Sequence, residues 1–361
     1  MLHILHAADL HLDAPFAALS REQARQRRQE QRQLLDALAD AAIRGDADLV
    51  LLAGDLLDGG QTYRETTQAL ADALGRIPAP VLIAPGNHDH YSSASIYASD
   101  IWPRNVLIFP DSAIRRVELP GCVVYGTAFT SPERTESPLA GFAAPKTDDR
   151  PAIMVAHGDV GGTGRYGSIT REEIAASGLT YLALGHIHTC SGLRREGDTY
   201  WAYPGCGEGR GFDETGDKGA LWVTIDGGEV TAELLPLCRR RYEVVECDLT
   251  DRDHRQAVAQ ALEGGRSEDI VRLLLTGEAQ RVDLTDLELV AQQYRWAVQV
   301  RDHTRLPAGL WDRAGEEGIA GLFLRDLQTQ IRGAADPQTR ELLEQAARFG
   351  LAALENGEDP L

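Results

Sequence analysis

Seven short apolar runs organise the first two thirds of the chain: Ile4–Ala8, Leu49–Ala53, Val81–Ala84, Val123–Gly126, Ile153–Ala156, Tyr181–Leu184 and Leu221–Ile225. Each stops at a polar or glycine-bearing break, as strands buried on both faces do. Helical patterns over Glu22–Arg44 and Arg64–Leu74 separate the first three, and the later runs lie closer together. The expected fold class for residues 1–240 is therefore α/β, with two packed sheets flanked by helices. A different rhythm follows: a strand at Tyr242–Asp248, a helix near Arg255–Leu262, and strands at Ile270–Leu275 and Trp296–Arg301. It predicts a small α+β domain over residues 241–304. Residues 305–361 read as a C-terminal helical segment, with amphipathic helices at Ile319–Ile331 and Thr339–Leu354 broken by the Gly333–Pro337 turn. In the second helix Leu342, Leu343, Ala346 and Phe349 recur at helical spacing. That face suits packing within its own domain or docking of a partner.

Composition narrows the function. Across 361 residues the apolar share of 43% and charged share of 25% are those of an ordinary globular protein. No apolar run reaches the ~18 residues of a membrane span. The start, MLHILHAADLHLDAP, lacks the basic segment of a secretion signal, so a cytoplasmic location is expected. Cys122, Cys190, Cys206, Cys238 and Cys247 are scattered and odd in number, which fits neither a disulfide framework nor a zinc cage. The net charge of −19 works against non-specific nucleic-acid binding, which draws on Lys and Arg to release counterions. Lys146 and Lys218 are the lysines; the rest of the positive charge is arginine.

Chemistry-bearing residues gather at the strand ends. Asp9-Leu-His11 follows the first run, Gly54-Asp55 the second, and Gly86-Asn87-His88-Asp89 the third. His157-Gly158 closes the fifth and Gly185-His186-Ile-His188 the sixth. Strand ends bring distant residues to one sheet edge, where α/β folds bind ligands. Carboxylate, imidazole and amide oxygen together suit a divalent ion such as manganese or iron, with zinc a further option. Asp-x-His and His-x-His place alternate side chains on one face of an extended segment. A carboxylate between two ions can bridge them at the ~3.5–4 Å separation of hydrolytic metal pairs. Each signature alone is weak, since Gly-Asn-His-Asp is also an ordinary turn. Their occurrence together, in order and each behind a strand, carries the reading.

The series DLH, GD, GNHD, HG, GHIH resembles that of the calcineurin-like metallophosphoesterases over about residues 1–235. Within that superfamily DLHLDAPF and the Tyr203–Gly219 segment YPGCGEGRGFDETGDKG are similar to the SbcD-type DNA repair exonucleases, especially their YhaO-like branch. The resemblance implies a calcineurin-like sandwich of two mixed sheets. It implies that Asp9, His11 and His188 hold one divalent ion, that Asn87, His157 and His186 hold a second, and that Asp55 bridges them. His88 would stabilise the transition state or protonate the leaving oxygen, as an imidazole can near neutral pH. Asp89 would orient His88. Cys206 departs from the small polar residue usual there, which leaves that loop's substrate contacts open. The implied function is a manganese-dependent DNA nuclease, an exonuclease of DNA repair, with Fe2+, Zn2+ or Mg2+ as alternative ions. The implied partners are DNA, an SMC-like coiled-coil ATPase docked on the C-terminal helices, and a second copy of the chain; no membrane is implied. Two rival readings are a phosphodiesterase or phosphatase for nucleotide-sized substrates, which the acidic charge favours, and a regulatory subunit of an ATPase complex.

Two further features bear on substrate contact. Gly162-Thr-Gly164-Arg-Tyr-Gly167 spells a dinucleotide-binding pattern, yet Ile174–Arg195 contains no acidic residue to hold a ribose. A mobile loop beside the site is the better reading, with Arg165 and Tyr166 as candidate substrate contacts. Arg21, Arg25, Arg28 and Arg32 share one side of the first helix, away from Leu34, Leu38 and Ala42. They form either a solvated face or a phosphate-contacting stripe, in which Arg25, Arg28 and Arg32 would touch substrate. His3, His6, His90, His254 and His303 fall in no pattern.

Overall fold

The strands are apolar throughout because their alternate residues enter two different cores. In β1 (Leu2–Ala7) Ile4 faces one core and Leu5 the other. In β2 (Leu49–Leu52) Leu49 and Leu51 face the first, and Val50 and Leu52 the second. The structure is a computed structural model and describes residues 1–356 apart from 18, 60, 61 and 146–148. The chain forms two compact units, Met1–Arg241 and Tyr242–Leu361.

In the first unit, β1, β2, β3 (Val81–Ile83) and β4 (Val106–Ile108) run parallel. Beyond β1 lie β11 (Gly219–Asp226) and β12 (Glu229–Pro236), both added antiparallel, giving the order β12-β11-β1-β2-β3-β4. The second sheet has β6 (Val123–Gly126), β7 (Ala152–His157), β8 (Tyr181–Gly185) and β10 (Thr199–Ala202) parallel. Its antiparallel edges are β5 (Arg115–Glu118) and β9 (Arg194–Glu196), in the order β5-β6-β7-β8-β10-β9. The expected α/β sandwich of two mixed sheets is the observed one. All seven expected strands form. Most of the unanticipated ones are short or charged edges, such as Arg-Arg-Val-Glu in β5, where no buried face demands an apolar run, whereas β10 is a four-residue interior strand between β8 and β9.

The inner faces meet over Ile4, Leu51, Phe109, Ile153, Val155 and Tyr181. Outside, α1 (Arg21–Arg44) and α2 (Arg64–Gly75) cover the first sheet through Leu35, Leu38, Leu70 and Leu74. The short α3 (Arg171–Ala176) covers the second through Ile174. Ser20 and Gln23 form a capping box that starts α1 where expected. Next to the arginine stripe, Arg27 is fully buried. Its guanidinium lies 2.9 Å from Glu30 and 2.6 Å from Glu208, and Arg240 closes the group 2.7 Å from Glu30.

In the second unit β13 (Tyr242–Asp248), β14 (Ile270–Thr276) and β15 (Ala297–Asp302) form a parallel sheet. The helices α4 (His254–Leu262) and α5 (Leu284–Ala291) pack on it. Then α6 (Ile319–Gly333) and α7 (Pro337–Asn356) enclose a core of Leu310, Leu324, Leu327, Ala347 and Leu351. The packed face of α7 thus runs through Leu343, Ala347 and Leu351, one step round from the expected one: Leu342 is 66% and Phe349 48% exposed. Gly350 leaves room for the Phe323 ring, which a Cβ there would strike at 2.2 Å.

Truncating Arg27 strips the buried Glu208 carboxylate of this guanidinium and leaves Glu30 to Arg240 and Arg239. Arg27→Ala is expected to cost about 3–5 kcal/mol in urea unfolding, whereas Arg25→Ala on the exposed side should stay within about 0.5 kcal/mol.

Candidate metal centre

Five strand ends from both sheets meet in one cleft. The loops after β1 and β2 run side by side, with Asp9 N donating to Gly54 O at 3.0 Å and His11 N to Asp55 O at 3.0 Å. His186 N, after β8, donates to the Asp9 carboxylate at 3.0 Å. His88 N, after β3, donates to Asp55 Oδ1 at 2.9 Å. Ligand atoms of Asp9, His11 and His188 lie within 4.8 Å of one another, as do those of Asp9, Asp55 and His157. Asn87 Oδ1 and Asp55 Oδ2 lie 3.0 and 3.4 Å from His157 Nε2. The His186 ring stands 5.3 Å from that of His157. All seven expected ligands are therefore gathered.

They converge differently from expectation. Asp9 (φ 52°), His11 (41°), Asp55 (51°) and His186 (112°) have left-handed backbone, so alternation along an extended strand is not what aligns them. Each such residue costs on the order of 1–3 kcal/mol, strain typical of functional sites. The glycines of the motifs serve this packing. A Cβ on Gly54, itself at φ 84°, would meet His157 Nδ1 at 2.7 Å, and one on Gly86 would meet Asp55 Oδ1 at 2.2 Å.

Three histidines are held so that Nε2 is left to bind. His157 Nδ1 donates to Ala53 O at 2.8 Å, His11 Nδ1 to Asp58 Oδ1 at 2.9 Å, and His188 Nδ1 to Glu214 Oε1 at 2.7 Å. Metal-ligating imidazoles characteristically donate their other nitrogen to a carboxylate or carbonyl, which fixes tautomer and ring orientation. The donor set thus fits divalent ions held by these side chains. Asp58, Glu214 and Arg210 escaped the sequence reading. Arg210 bonds Glu214 at 2.9 Å and sits 3.5 Å from Asp58, joining the two orienting carboxylates. Asp58 stands three residues after Asp55, and Glu214 lies in the quoted Tyr203–Gly219 segment, but nothing in their spacing specifies a partner.

Asp89 corrects an expectation. Its carboxylate accepts from the backbone N–H of Gly86, Asp55, Leu56 and Leu57 and from the Tyr97 hydroxyl, rather than facing His88. Asp58 is the carboxylate near His88, 3.8 Å from its Nδ1. Tyr166 tilts against the His186 ring at 5.0 Å and is 41% exposed. The GxGxxG loop that carries it is tied by bridges to Arg134 and between Val160 and Ile169. Arg165 instead points to Glu133 at 2.9 Å, Arg28 to Pro15 O at 3.3 Å and Arg32 to Glu65 at 3.2 Å. Arg25 lines a shallow surface hollow with Glu22 and Arg239, apart from the centre. Cys206 is wholly buried and offers substrate no contact.

Burial shapes the protons. It pushes Asp9 up to about 7, against the pull of His157. For Asp55 burial is overcome by His157 and His11, which hold its carboxyl well below the ordinary range. His157 is raised to about 9: burial opposes its charge, but Asp55 and Asp9 prevail. Two buried carboxylates packed around His157 mark a place that a cation would relieve.

A mixed-sheet α/β sandwich with this donor set at its strand ends is the architecture of a metal-dependent phosphoester hydrolase. The chain belongs to the calcineurin-like phosphoesterase family, which it matches over residues 2–190. It is 29% identical over 349 residues to the metallophosphoesterase YhaO of Bacillus subtilis, covering 86% of this chain and 83% of that one. It is 26% identical over 276 residues to the DNA double-strand break repair protein Mre11 of Aeropyrum pernix, covering 70% and 64%. With Mre11 of Saccharolobus solfataricus it shares 26% over 314 residues, covering 80% and 79%. No helix of the described residues is long and apolar enough to cross a membrane.

Ligation needs Asp9 and His157 deprotonated, so metal uptake should release protons. Because both groups sit above their ordinary values, affinity should fall as pH drops. Calorimetric Mn2+ titration should show binding weakened on the order of 1,000-fold from pH 8 to pH 6. Glu214→Gln, which loosens His188, should weaken Mn2+ binding by about 10–100-fold at constant pH in equilibrium dialysis.

Proposed function

We propose that this protein is a two-metal phosphodiesterase acting on DNA, with manganese the working ion. The observation that carries the reading is the convergence of two aspartates, four imidazoles and an amide from five strand ends, three of those imidazoles oriented through Nδ1. Asp9, His11 and His188 would hold one ion, Asn87, His157 and His186 the other, with Asp55 between them. When bound, such a pair supplies a nucleophilic water near neutral pH and neutralises charge on the phosphate oxygens. The residues do the rest. Glu214 and Asp58 keep His188 and His11 in the binding tautomer. His88 is 46% exposed in its side chain, with its ring 4.8 Å from that of His11, so it can meet a substrate and hand a proton to the leaving oxygen. Asp58 is the acceptor near enough to steady it. Tyr166, exposed beside His186, is suited to stack on a base, a contact worth about 1–3 kcal/mol.

The relatives named for DNA double-strand break repair support DNA as substrate. With a net charge of −19 the surface adds little general hold on a polyanion, so the centre itself and a partner must supply it. A coiled-coil ATPase is that partner in this reading, with the exposed apolar side chains Ile319, Leu322, Leu342 and Phe349 as its dock and a second copy of the chain completing the assembly. The same acidity favours nucleotide-sized diesters as the rival substrate.

The test compares His88→Gln with His186→Gln on labelled single- and double-stranded DNA and on bis-p-nitrophenyl phosphate, measuring bound manganese on the same samples. His88→Gln should lose about 10²–10⁴-fold in rate and keep its metal; His186→Gln should lose metal and activity together. Turnover of the small diester with DNA left intact would shift the reading to nucleotide-sized substrates. Loss of metal from His88→Gln would make that residue a ligand.

A further inference from the structure

His88 is shared between the metal centre and a cavity of about 450 Å³ lined by Leu57, Thr62, His90, Ser95, Ile96 and Ser99 among others. None of Asp9, His11, Asp55, His157, His186 or His188 lines it. Its size falls in the ~300–1,000 Å³ range of small-ligand sites. Neither arginine nor lysine is among its lining residues, and the lining Asp89 is spent on four backbone N–H groups and Tyr97. The wall is set before any ligand arrives: Ser95 Oγ accepts from Ser92 N at 3.1 Å and donates to Ser92 O at 2.8 Å. The space is therefore partly apolar and hydroxyl-bearing. It offers no arginine or lysine to hold a phosphate, but it has apolar surface for a ring face and hydroxyl oxygens for base edges and a sugar.

We propose that this cavity is a nucleoside subsite, receiving the nucleoside that carries the departing oxygen. The inference rests on the phosphodiesterase reading above. In the step, a bond forms between water oxygen and phosphorus, and the bond from phosphorus to the nucleoside oxygen breaks. A proton passes through the His88 imidazole to that oxygen, and the proton shed by the attacking water leaves to solvent. A group protonated by His88 must lie against it. The metal ligands occupy one flank of His88, through the His11 ring, and the cavity borders another.

Ala94 lies on the cavity wall and is exposed, so Ala94→Trp fills the space without touching the core or a metal ligand. Thr62→Trp, from a separate segment, is the second variant and guards against misfolding of the first. Two substrates are compared with manganese present: thymidylyl-thymidine, assayed for thymidine release, and thymidine 5′-methyl phosphate, assayed for methanol release. Each variant should raise KM for the dinucleotide at least 10-fold and leave methanol release unchanged. Equal losses on both substrates, or none on either, would overturn the subsite. Thymidine binding by equilibrium dialysis is measured in parallel. If the wild type cuts neither substrate, the phosphodiesterase reading fails, and the cavity is judged by dialysis alone. Thymidine bound by the wild type and lost in both variants keeps the nucleoside site; thymidine not bound by the wild type removes it.

Discussion

One buried carboxylate ties together the loops that carry the donors. Asp89 accepts from the N–H groups of Asp55, Leu56, Leu57 and Gly86, so the turns after β2 and β3 close on a single side chain. The left-handed backbone at Asp55 and the approach of Gly86 to its carboxylate depend on that closure. Burial and the neighbouring Asp55 charge raise the Asp89 carboxyl, while the Tyr97 hydroxyl and the backbone donors pull it down. An acceptor with this many donors is rigid, and rigidity is what a metal site asks of the chain that builds it.

From that knot the order of the site follows outward. Asp55 is held against His88 N and faces His157 and His11. The β1 loop lies on the β2 loop through paired backbone bonds, which brings Asp9 to the N–H of His186 from the other sheet. An outer ring of acceptors then turns three of the four imidazoles: Ala53 O for His157, Asp58 for His11 and Glu214 for His188. The sandwich contributes stiffness from two sheets rather than one. Its inner core, built on residues such as Leu51, Phe109 and Val155, keeps the two sets of strand ends in register.

Much of this was legible in the residues. Continuous apolar runs announce strands buried on both faces, and their alternation between two cores is the physical reason. The donor residues were legible because carboxylate, imidazole and amide recur behind those runs. What stayed hidden depends on contacts between distant segments. The partnership of Asp58 with His11 is a matter of loop path, and that of Glu214 with His188 spans 26 positions. Arg27 reads as one more charge in a basic stretch, yet Glu208, 181 residues away, makes it a buried ion. Asp89 sits beside His88 in sequence, but its side chain turns to four backbone donors. In α7 the apolar spacing allows two neighbouring stripes, and packing against α6 selects Leu343, Ala347 and Leu351.

The proposed function requires two ions that share Asp55. Anomalous diffraction at the manganese edge, on crystals grown with saturating Mn2+, tests it directly. The account predicts two peaks separated by about 3.5–4 Å, one on either side of the Asp55 carboxylate. A single peak at saturation, or two peaks with Asp55 outside both coordination spheres, would contradict it.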